Sequence, residues 1–343
     1  MKIRILLVGL LIGAAGTSPL LAWNYEGHRM VNQMALASLP EDFPAFVHTP
    51  DNAERIAFLS GEADRWRNNP ALPLKHYNGL DHYLDAEQLA AAGLDADSVS
   101  DLRYSFAVKF AQGRLAHPEN FPEIAADKNS DSTKEWPGFL PWAITEYYGK
   151  LKSAFSYLKT FQKAGTPEEV ANAQANVLYI MGVMGHYVGD GAQPLHTTIH
   201  HNGWTGDNPE RYTRWPGIHS WIDGGFIAKA EITAEKLLPQ VTTVQAFELE
   251  EQADGRDPIF VVTMAYLMAQ NAQVVPFYKL EKDDRFKSNQ ATKDPIGREF
   301  IERQLLRGGE MLGAIWLTAW VNATDDSYLT RQLAKRAAAD EKA

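Results

Sequence analysis

The chain contains no cysteine among its 343 residues. This absence excludes disulfide bonds and also excludes thiolate ligands for a metal ion. The stability of the fold must therefore come from the apolar core and, if a metal binds, from the metal.

Positive charge is also scarce, with 33 Lys and Arg against 43 Asp and Glu and a formal net charge of −10. An acidic surface argues against a broad electrostatic footprint for duplex DNA. It does not exclude a nucleic-acid substrate that metal ions hold in a pocket. The hydrophobic share of 45% and the charged share of 22% are those of an ordinary soluble globular protein.

The N-terminal segment has the composition of a secretory signal peptide. Lys2 and Arg4 precede an apolar run at residues 5–15, and small and apolar residues continue to Ala22. The run is too short to span a bilayer, which disfavours a membrane anchor. We expect residues 1–22 to be removed after Ala22, giving a secreted or periplasmic mature chain, residues 23–343, with no transmembrane segment.

The mature chain shows no convincing alternation of apolar and polar residues, whereas the spacing typical of helices recurs throughout it. Thr166 and Pro167 form a helix start, and Gly308, Gly309 and Gly313 would permit close helix packing. Residues 117–137 are polar and predict a loop insertion. Helical patterns cover residues 30–39, 53–68, 102–115, 140–164, 167–185, 226–238, 259–273 and 298–321. The sequence therefore predicts one all-α domain of many helices.

Two His-x-x-x-Asp pairs follow one another between residues 186 and 223. His186 and Asp190 are one helical turn apart, as are His219 and Asp223, so each pair should lie on one face of its helix. His196 follows shortly after Pro194, where the first of these helices should have ended. Helical folds build polynuclear metal sites in this way. This pattern predicts a metal site.

Other candidate ligands precede these pairs. Adding Trp23, His28, Asp64 and His82 gives nine groups, too many for one ion and about right for three, with Asp190 able to bridge two ions. Catalytic zinc takes such nitrogen and oxygen ligands, although manganese or iron would also suit them. Alternatively, Asp64 pairs with a nearby arginine on a solvated face.

Taken together, the motifs resemble those of a known enzyme family. They are Trp23 with a His five residues later, Ala-Asp-x-x-Arg at 63–67, His-Tyr-x-Asp at 82–85, His-x-x-x-Asp-x-x-x-Pro-x-His at 186–196 and His-Ser-x-x-Asp at 219–223. This set is similar to that of the trinuclear-zinc, single-strand-specific nucleases (type I nucleases). That family shares its all-α fold with the zinc-dependent phospholipases C.

The resemblance implies a role for each matching residue. One zinc would be held by Asp64, His82, His186 and Asp190, a second by the Trp23 amino group and carbonyl oxygen with His28 and Asp190, and a third by His196, His219 and Asp223. Asp64 and Asp190 would thereby belong to the catalytic centre with Arg67, which would stabilise the phosphoryl transition state. Tyr83 and Asp85 would face the nucleobase. The implied activity is hydrolysis of single-stranded DNA or RNA, with possible 3′-nucleotidase activity and no stable protein partner.

Several alternatives remain open at the level of sequence. His76 is also followed by Tyr, but only His82 gives His-Tyr-x-Asp. Residues 86–141 look longer than in the compact nucleases, so the substrate rim cannot be transferred to this chain. A phospholipase C acting on phospholipid headgroups is the nearest alternative. The Trp23–His28 spacing and Asp rather than Glu at 223 favour a nuclease.

A third alternative is a non-catalytic zinc-binding protein, for which Arg67 would be superfluous. Four histidines have no place in the pattern. His48 and His117 are expected at the surface. His200 and His201 lie in a turn-rich loop that is expected to cover the site, where they would either contact substrate or serve as ordinary loop residues.

Overall fold

The computed structural model of this chain describes residues 23–341, so the expected signal peptide lies outside the described residues. The described part contains helices and turns and no strand, which confirms the all-α fold. The helices are α1 (Tyr25–Ser38), α2 (Pro50–Leu59), α3 (Glu62–Arg67), α4 (Leu72–Gly79), α5 (Ala86–Ala91), α6 (Arg103–Ala116), α7 (Leu140–Ala164), α8 (Pro167–Ala192), α9 (Ile218–Ser220), α10 (Ile227–Lys229), α11 (Ala234–Leu237), α12 (Pro258–Asn271), α13 (Val274–Lys282), α14 (Pro295–Asn322) and α15 (Ser327–Asp340).

Helix α8 lies at the centre, against α1, α2, α7 and α14. It begins with a capping box, in which the Thr166 hydroxyl accepts from the Glu169 N–H and the Glu169 carboxylate accepts from the Thr166 N–H. Its last twelve residues, from Met181 to Ala192, are buried on every side. A helix that is apolar all round belongs inside a protein. The two polar side chains of that stretch, His186 and Asp190, are therefore carried into the core.

The small residues of α14 let α1 approach it closely. A Cβ added to Gly309 would lie 2.7 Å from the Met34 Cβ, and one added to Gly313 would lie 2.1 Å from the Ser38 Oγ. Both distances are shorter than real Cβ contacts, so larger residues would push the helices apart. The prediction of close packing by these glycines is confirmed, and the packing fixes α1 beside α8.

Three sequence predictions differ from the structure. The helix expected over 53–68 is divided into α2 and α3 at Ser60 and Gly61. The helix expected over 226–238 is interrupted because Glu231 has a left-handed backbone conformation, with φ of 53°. Residues 76–79 lie outside the helical patterns predicted from sequence but are helical, since α4 continues to Gly79.

One stretch, Pro258–Lys282, is long and apolar enough to cross a membrane by length and composition alone. It consists of two helices, α12 and α13, that are separated at Ala272 and Gln273. Helix α12 packs against α7 and α8. A buried core helix passes the same test of length and composition, so the expectation of no membrane span remains a prediction.

Residues 117–137 form the polar loop expected there, with only two short 3-10 turns. The end of this loop is attached to the stretch that carries His82. Asp85 N–H donates to the Pro137 carbonyl at 2.6 Å, and Leu140 N–H donates to the Tyr83 carbonyl at 3.2 Å. These bonds hold the loop beside the histidine and aspartate cluster described next.

Candidate metal centre

Asp190 is the centre of a buried cluster of histidines. Its Oδ2 lies 2.9 Å from His82 Nδ1 and 3.3 Å from His186 Nε2. Its Oδ1 lies 3.4 Å from His28 Nε2. All four side chains are 0% exposed. One carboxylate therefore faces histidines on both of its oxygens.

Four separate elements bring these residues together. His28 comes from the first turn of α1, Asp64 from α3, His82 from the 3-10 turn at Leu80–His82, and His186 and Asp190 from α8. Asp64 Oδ1 lies 3.8 Å from His186 Nε2. This arrangement forms two groups that could each hold an ion, His28 with His186 and Asp190, and Asp64 with His82 and His186.

Trp23 lies next to the same cluster. Its side chain is fully buried, and its indole N–H donates to the Gly189 carbonyl at 2.8 Å. The next residue, Asn24, donates its backbone N–H to the Asp223 carbonyl at 3.0 Å. The start of the expected mature chain is thus placed between the two His-x-x-x-Asp pairs.

The second pair forms a third group with His196. His219 is the middle residue of the short helix α9, and Asp223 lies in the π-helical turn at Trp221–Phe226 that follows it. His219 Nε2 is 3.0 Å from Asp223 Oδ2. The rings of His196 and His219 lie edge to face at 4.8 Å. The ligand atoms of His196, His219 and Asp223 all lie within 4.8 Å of one another.

Backbone carbonyls fix the orientation of two histidine rings. The Ser60 carbonyl lies 2.6 Å from His186 Nδ1, and the His82 carbonyl lies 2.6 Å from His196 Nδ1. A carbonyl oxygen only accepts, so each Nδ1 must be the donor and carry the proton. In the neutral ring the Nε2 atom then has a free lone pair. Metal-ligating histidines are oriented by such outer hydrogen bonds.

The cluster also contains polar atoms that the protein itself does not satisfy. Among the described residues no hydrogen bond of suitable geometry is found for His28 Nε2, His196 Nε2, His219 Nε2, Asp190 Oδ1 or Asp223 Oδ2, although His219 Nε2 and Asp223 Oδ2 lie only 3.0 Å apart. Buried polar atoms without partners are costly, so each needs an explanation. Two ligand atoms at about 2.1 Å from a tetrahedral zinc lie about 3.4 Å apart. The 3.3 Å separation of His186 Nε2 and Asp190 Oδ2 fits that spacing.

Electrostatics keep most of these groups in the state that binds a metal. Burial lowers the pKa of His82 to about 3, of His196 to about 4 and of His219 to about 3. Burial opposes ionisation of Asp190, but the facing His186 and His196 outweigh it and hold the Asp190 pKa well below its ordinary value. At neutral pH the cluster thus offers neutral imidazoles around a carboxylate.

Two groups shift in the other direction. For His186 burial favours the neutral ring, but Asp190 and Asp64 outweigh it and raise the pKa. Burial raises the pKa of Asp223 well above its ordinary value, although His196 and a hydrogen bond from Gln193 oppose the shift. A bound dication would favour the ligating form of both residues.

No family model matches the chain, and no curated protein matches it. The interpretation of the centre therefore depends on its geometry and chemistry. Several buried groups of His and Asp could hold metal ions.

The other residues implied by the resemblance lie on one cavity of about 780 Å³. Arg67, Tyr83 and Asp85 line it together with His196 and His219. Arg67 Nη2 is 3.0 Å from Asp64 Oδ1. This ion pair connects the lining of the cavity to the buried cluster. Hence the third group faces the cavity, whereas His28 and His186 lie beneath it.

The structure distinguishes His82 from His76, the other candidate for the same ligand role. His76 lies on α4, and its Nδ1 is 2.6 Å from the Asp131 carbonyl of the polar loop. His48 and His117 are exposed and belong to none of the three groups. His200 stacks on Trp204 at 3.9 Å, whereas His201 lines the cavity with its Nδ1 4.0 Å from Asp85 Oδ1.

Gln193 is a site residue that sequence reasoning missed. Its side-chain amide donates to Asp223 Oδ1 at 2.6 Å and is 0% exposed. The bond leaves Asp223 Oδ2 facing His219. The only sequence signal was an amide placed between Asp190 and His196, which does not reveal a partner thirty residues away.

Proposed function

We propose that this chain is a zinc-dependent phosphodiesterase that hydrolyses single-stranded DNA or RNA, with 3′-nucleotidase activity as a second reaction of the same site. The observation that carries this proposal is that Asp190 faces histidines on both of its oxygens, beside two buried groups that share His186. A third group lies at a cavity that Arg67 also lines. Paired and triple dications of this kind act on phosphate esters.

The residues divide into three ligand sets in this proposal. Asp64, His82, His186 and Asp190 would hold one zinc; Trp23, His28 and Asp190 would hold the second; His196, His219 and Asp223 would hold the third. When bound, the ions would activate water and neutralise the phosphate charge. Ser60 and the His82 carbonyl keep the His186 and His196 rings in the ligating tautomer.

Arg67 forms an ion pair with the proposed ligand Asp64, with 3.0 Å between Nη2 and Oδ1. A guanidinium presents several N–H donors in one plane, which suits the oxygens of a phosphoryl group. Its position on the cavity wall allows it to contact a phosphate bound beside the metal ligands. We assign to Arg67 the stabilisation of charge that develops on the phosphate.

Tyr83 and Asp85 would face the nucleobase in the same cavity. The Asp85 carboxyl group accepts a hydrogen bond from Gln88 Nε2 at 2.8 Å, which fixes its orientation. Burial raises the pKa of Asp85 to about 6, with His201 acting against the shift. A fixed carboxyl group beside a buried tyrosine can pair with the edge of a base while the ring of the base packs on the phenol.

A phospholipid headgroup is the competing substrate. Ile124, Leu195 and Ile199 give the cavity an apolar side that an acyl chain could contact. Two features favour nucleic acid. They are the five-residue spacing from Trp23 to His28, and Asp223 in place of glutamate.

The test is a side-by-side turnover assay of zinc-loaded protein beginning at Trp23. The substrates are single-stranded DNA, RNA, a 3′-nucleotide and phosphatidylcholine. We expect cleavage of the nucleic acids and loss of at least about a thousandfold in kcat/KM for Asp190→Asn, since one carboxylate serves two ions. His117→Gln, which changes an exposed histidine, is the matched control. Turnover of phosphatidylcholine alone would establish the phospholipase, and turnover of none with three ions bound would support a zinc-binding protein.

A further inference from the structure

The cavity above the metal centre has one wall that is built by the polar loop. We call residues 114–136 the loop wall. Its cavity-facing members include Arg114, Phe121, Lys128, Lys134 and Trp136. The opposite side carries the metal-group residues His196 and His219, so anything bound at the centre has the loop wall as a neighbour.

The charge of the loop wall on this cavity is positive. Arg114, Lys128 and Lys134 line the cavity, against Glu123 as the wall's one carboxylate on the cavity among the described residues. The side chains of Lys128 and Lys134 are exposed, and neither has a carboxylate partner within ion-pair distance in the described part of the chain. Lys75, on α4, is by contrast paired with Asp131 of the loop at 3.5 Å.

Arg114 and Phe121, which line the same cavity, add a flat surface to the loop wall. The Arg114 guanidinium lies 4.6 Å from the centroid of the Phe121 ring, and it donates to the Glu135 carbonyl at 3.3 Å. Phe121 is half-buried and packs edge to face on Phe110. An aromatic ring held in this way is a stacking surface that accepts any base.

The loop wall is fastened to the residues that define the site. His76 and the Asp131 carbonyl form a contact of 2.6 Å, and the Asp85 N–H donates to the Pro137 carbonyl at 2.6 Å. Gly138 makes this approach possible, because it has φ of 95° and a Cβ there would lie 2.0 Å from the Tyr83 carbonyl oxygen. The lysines are thus carried by a segment tied directly to the nucleobase candidates Tyr83 and Asp85.

We propose that the loop wall is a second phosphate-binding site, in which Lys128 and Lys134 hold the phosphate of a nucleotide next to the scissile bond. This inference rests on the proposed function. It implies that the chain prefers oligonucleotides over mononucleotides, because only an oligonucleotide carries a second phosphate to reach the loop wall. In an otherwise acidic protein, such a local positive wall also confines attraction of the substrate to the cavity.

The test measures binding separately from hydrolysis. The probe is a short fluorescent single-stranded oligothymidylate with phosphorothioate linkages, and its affinity for the zinc-loaded protein is followed by anisotropy over a range of salt concentrations. The variant is K128Q/K134Q. The matched control is K109Q/K152Q, which removes the same charge from two exposed lysines outside the cavity.

The expected result is weaker binding of K128Q/K134Q, with a logarithmic salt slope that falls by about 0.7 for each phosphate contact removed, while the control keeps the slope of the wild type. The ratio of kcat/KM for the oligonucleotide to that for a 3′-nucleotide should fall about tenfold in the same variant. Equal slopes in the two double variants would overturn the proposal.

Two further outcomes are informative. If the wild-type protein binds the probe with the larger salt slope but hydrolyses no substrate, the second phosphate-binding site is supported and the proposed nuclease activity is wrong. If K128Q/K134Q lost binding to phosphatidylglycerol vesicles and kept full affinity for the oligonucleotide, the loop wall would be a lipid-binding surface and the proposal would be wrong.

Discussion

A Cβ on Gly189 would lie 2.8 Å from Nδ1 of His28. Helix α8 therefore approaches α1 so closely that no side chain fits between them at this level. We predict that Gly189→Ala destabilises the protein by about 1–3 kcal/mol, because the His28 ring must move. The same movement should weaken the ion shared by His28 and Asp190. Urea unfolding and metal analysis of the purified variant measure the two effects.

Gly149 provides a matched control with the opposite sign. It lies in α7, it is exposed, and a Cβ there would meet nothing within 4 Å. Gly149→Ala should raise the stability by about 0.5–1 kcal/mol, as expected for alanine in a helix interior. If both substitutions stabilised the protein, the conclusion that α1 and α8 leave no space for a side chain at Gly189 would be wrong.

The three groups predict a metal stoichiometry. Native mass spectrometry of zinc-loaded protein should find about three ions per chain, because three groups of His and Asp are present and two of them share His186. Asp190→Ala should lose two ions together, since both oxygens of that carboxylate face ligand histidines. His201→Ala should retain all of them. One ion or none in the loaded wild type would refute the trinuclear assignment.

Histidine burial predicts how stability depends on pH in the metal-free protein. The pKa values of His82, His196 and His219 lie near 3 to 4 in the fold against 6.5 in a free chain, so unfolding takes up protons below about pH 6.5. The contribution of these neutral rings is complete above pH 6.5 and is lost as the pH falls toward 4. The raised pKa values of His186, Asp223 and Asp85 oppose this trend.

The measurement is the free energy of unfolding in urea, in the presence of a chelator, at pH 7 and pH 5. We expect lower stability at pH 5, and a smaller difference in His196→Asn, which removes one of the titrating rings. Stability that increased on acidification would contradict the burial of neutral histidines.

The position of Trp23 predicts that a free N-terminus matters. A nitrogen within a peptide bond has its lone pair delocalised into the carbonyl group and ligates zinc poorly, whereas a free neutral amine ligates it well. Protein beginning at Trp23 should therefore bind one ion more tightly than protein with one additional residue before Trp23. Zinc titration by calorimetry compares the two forms. Equal affinities and equal turnover would show that the Trp23 amine is not a ligand.

Local patterns predicted the parts of the fold that depend on neighbours in sequence. The Thr166 cap, the shared face of His186 and Asp190, and the close packing at Gly309 all follow from helical spacing and residue size, and the structure contains each of them. The helix was expected to continue past residue 185 and to end near Pro194, and α8 does continue through His186 and Asp190 to Ala192.

The remainder depends on contacts between distant residues, which no local spacing records. The carbonyl of Ser60 orients a histidine 126 positions later, and the amide of Gln193 serves a carboxylate on another element. The loop wall has no periodicity at all. Its composition predicted a loop, but only the fold shows which lysines of that loop face the cavity.

The packing of α1 on α14 affects the order in which parts of this protein can fold. His28 is in the first helix of the described chain, yet that helix is held in place by Pro295–Asn322 near the opposite end. Contacts that join distant parts of a chain form only after the intervening segment has been synthesised and closed into a loop. A ribosome that has produced everything up to Asp223 has made every ligand, but α1 still lacks the helix it packs against. Helix α1 also contacts α2 and α8, but it packs most extensively on α14, so we expect the pairing of His28 with Asp190 to become stable only after α14 has been synthesised.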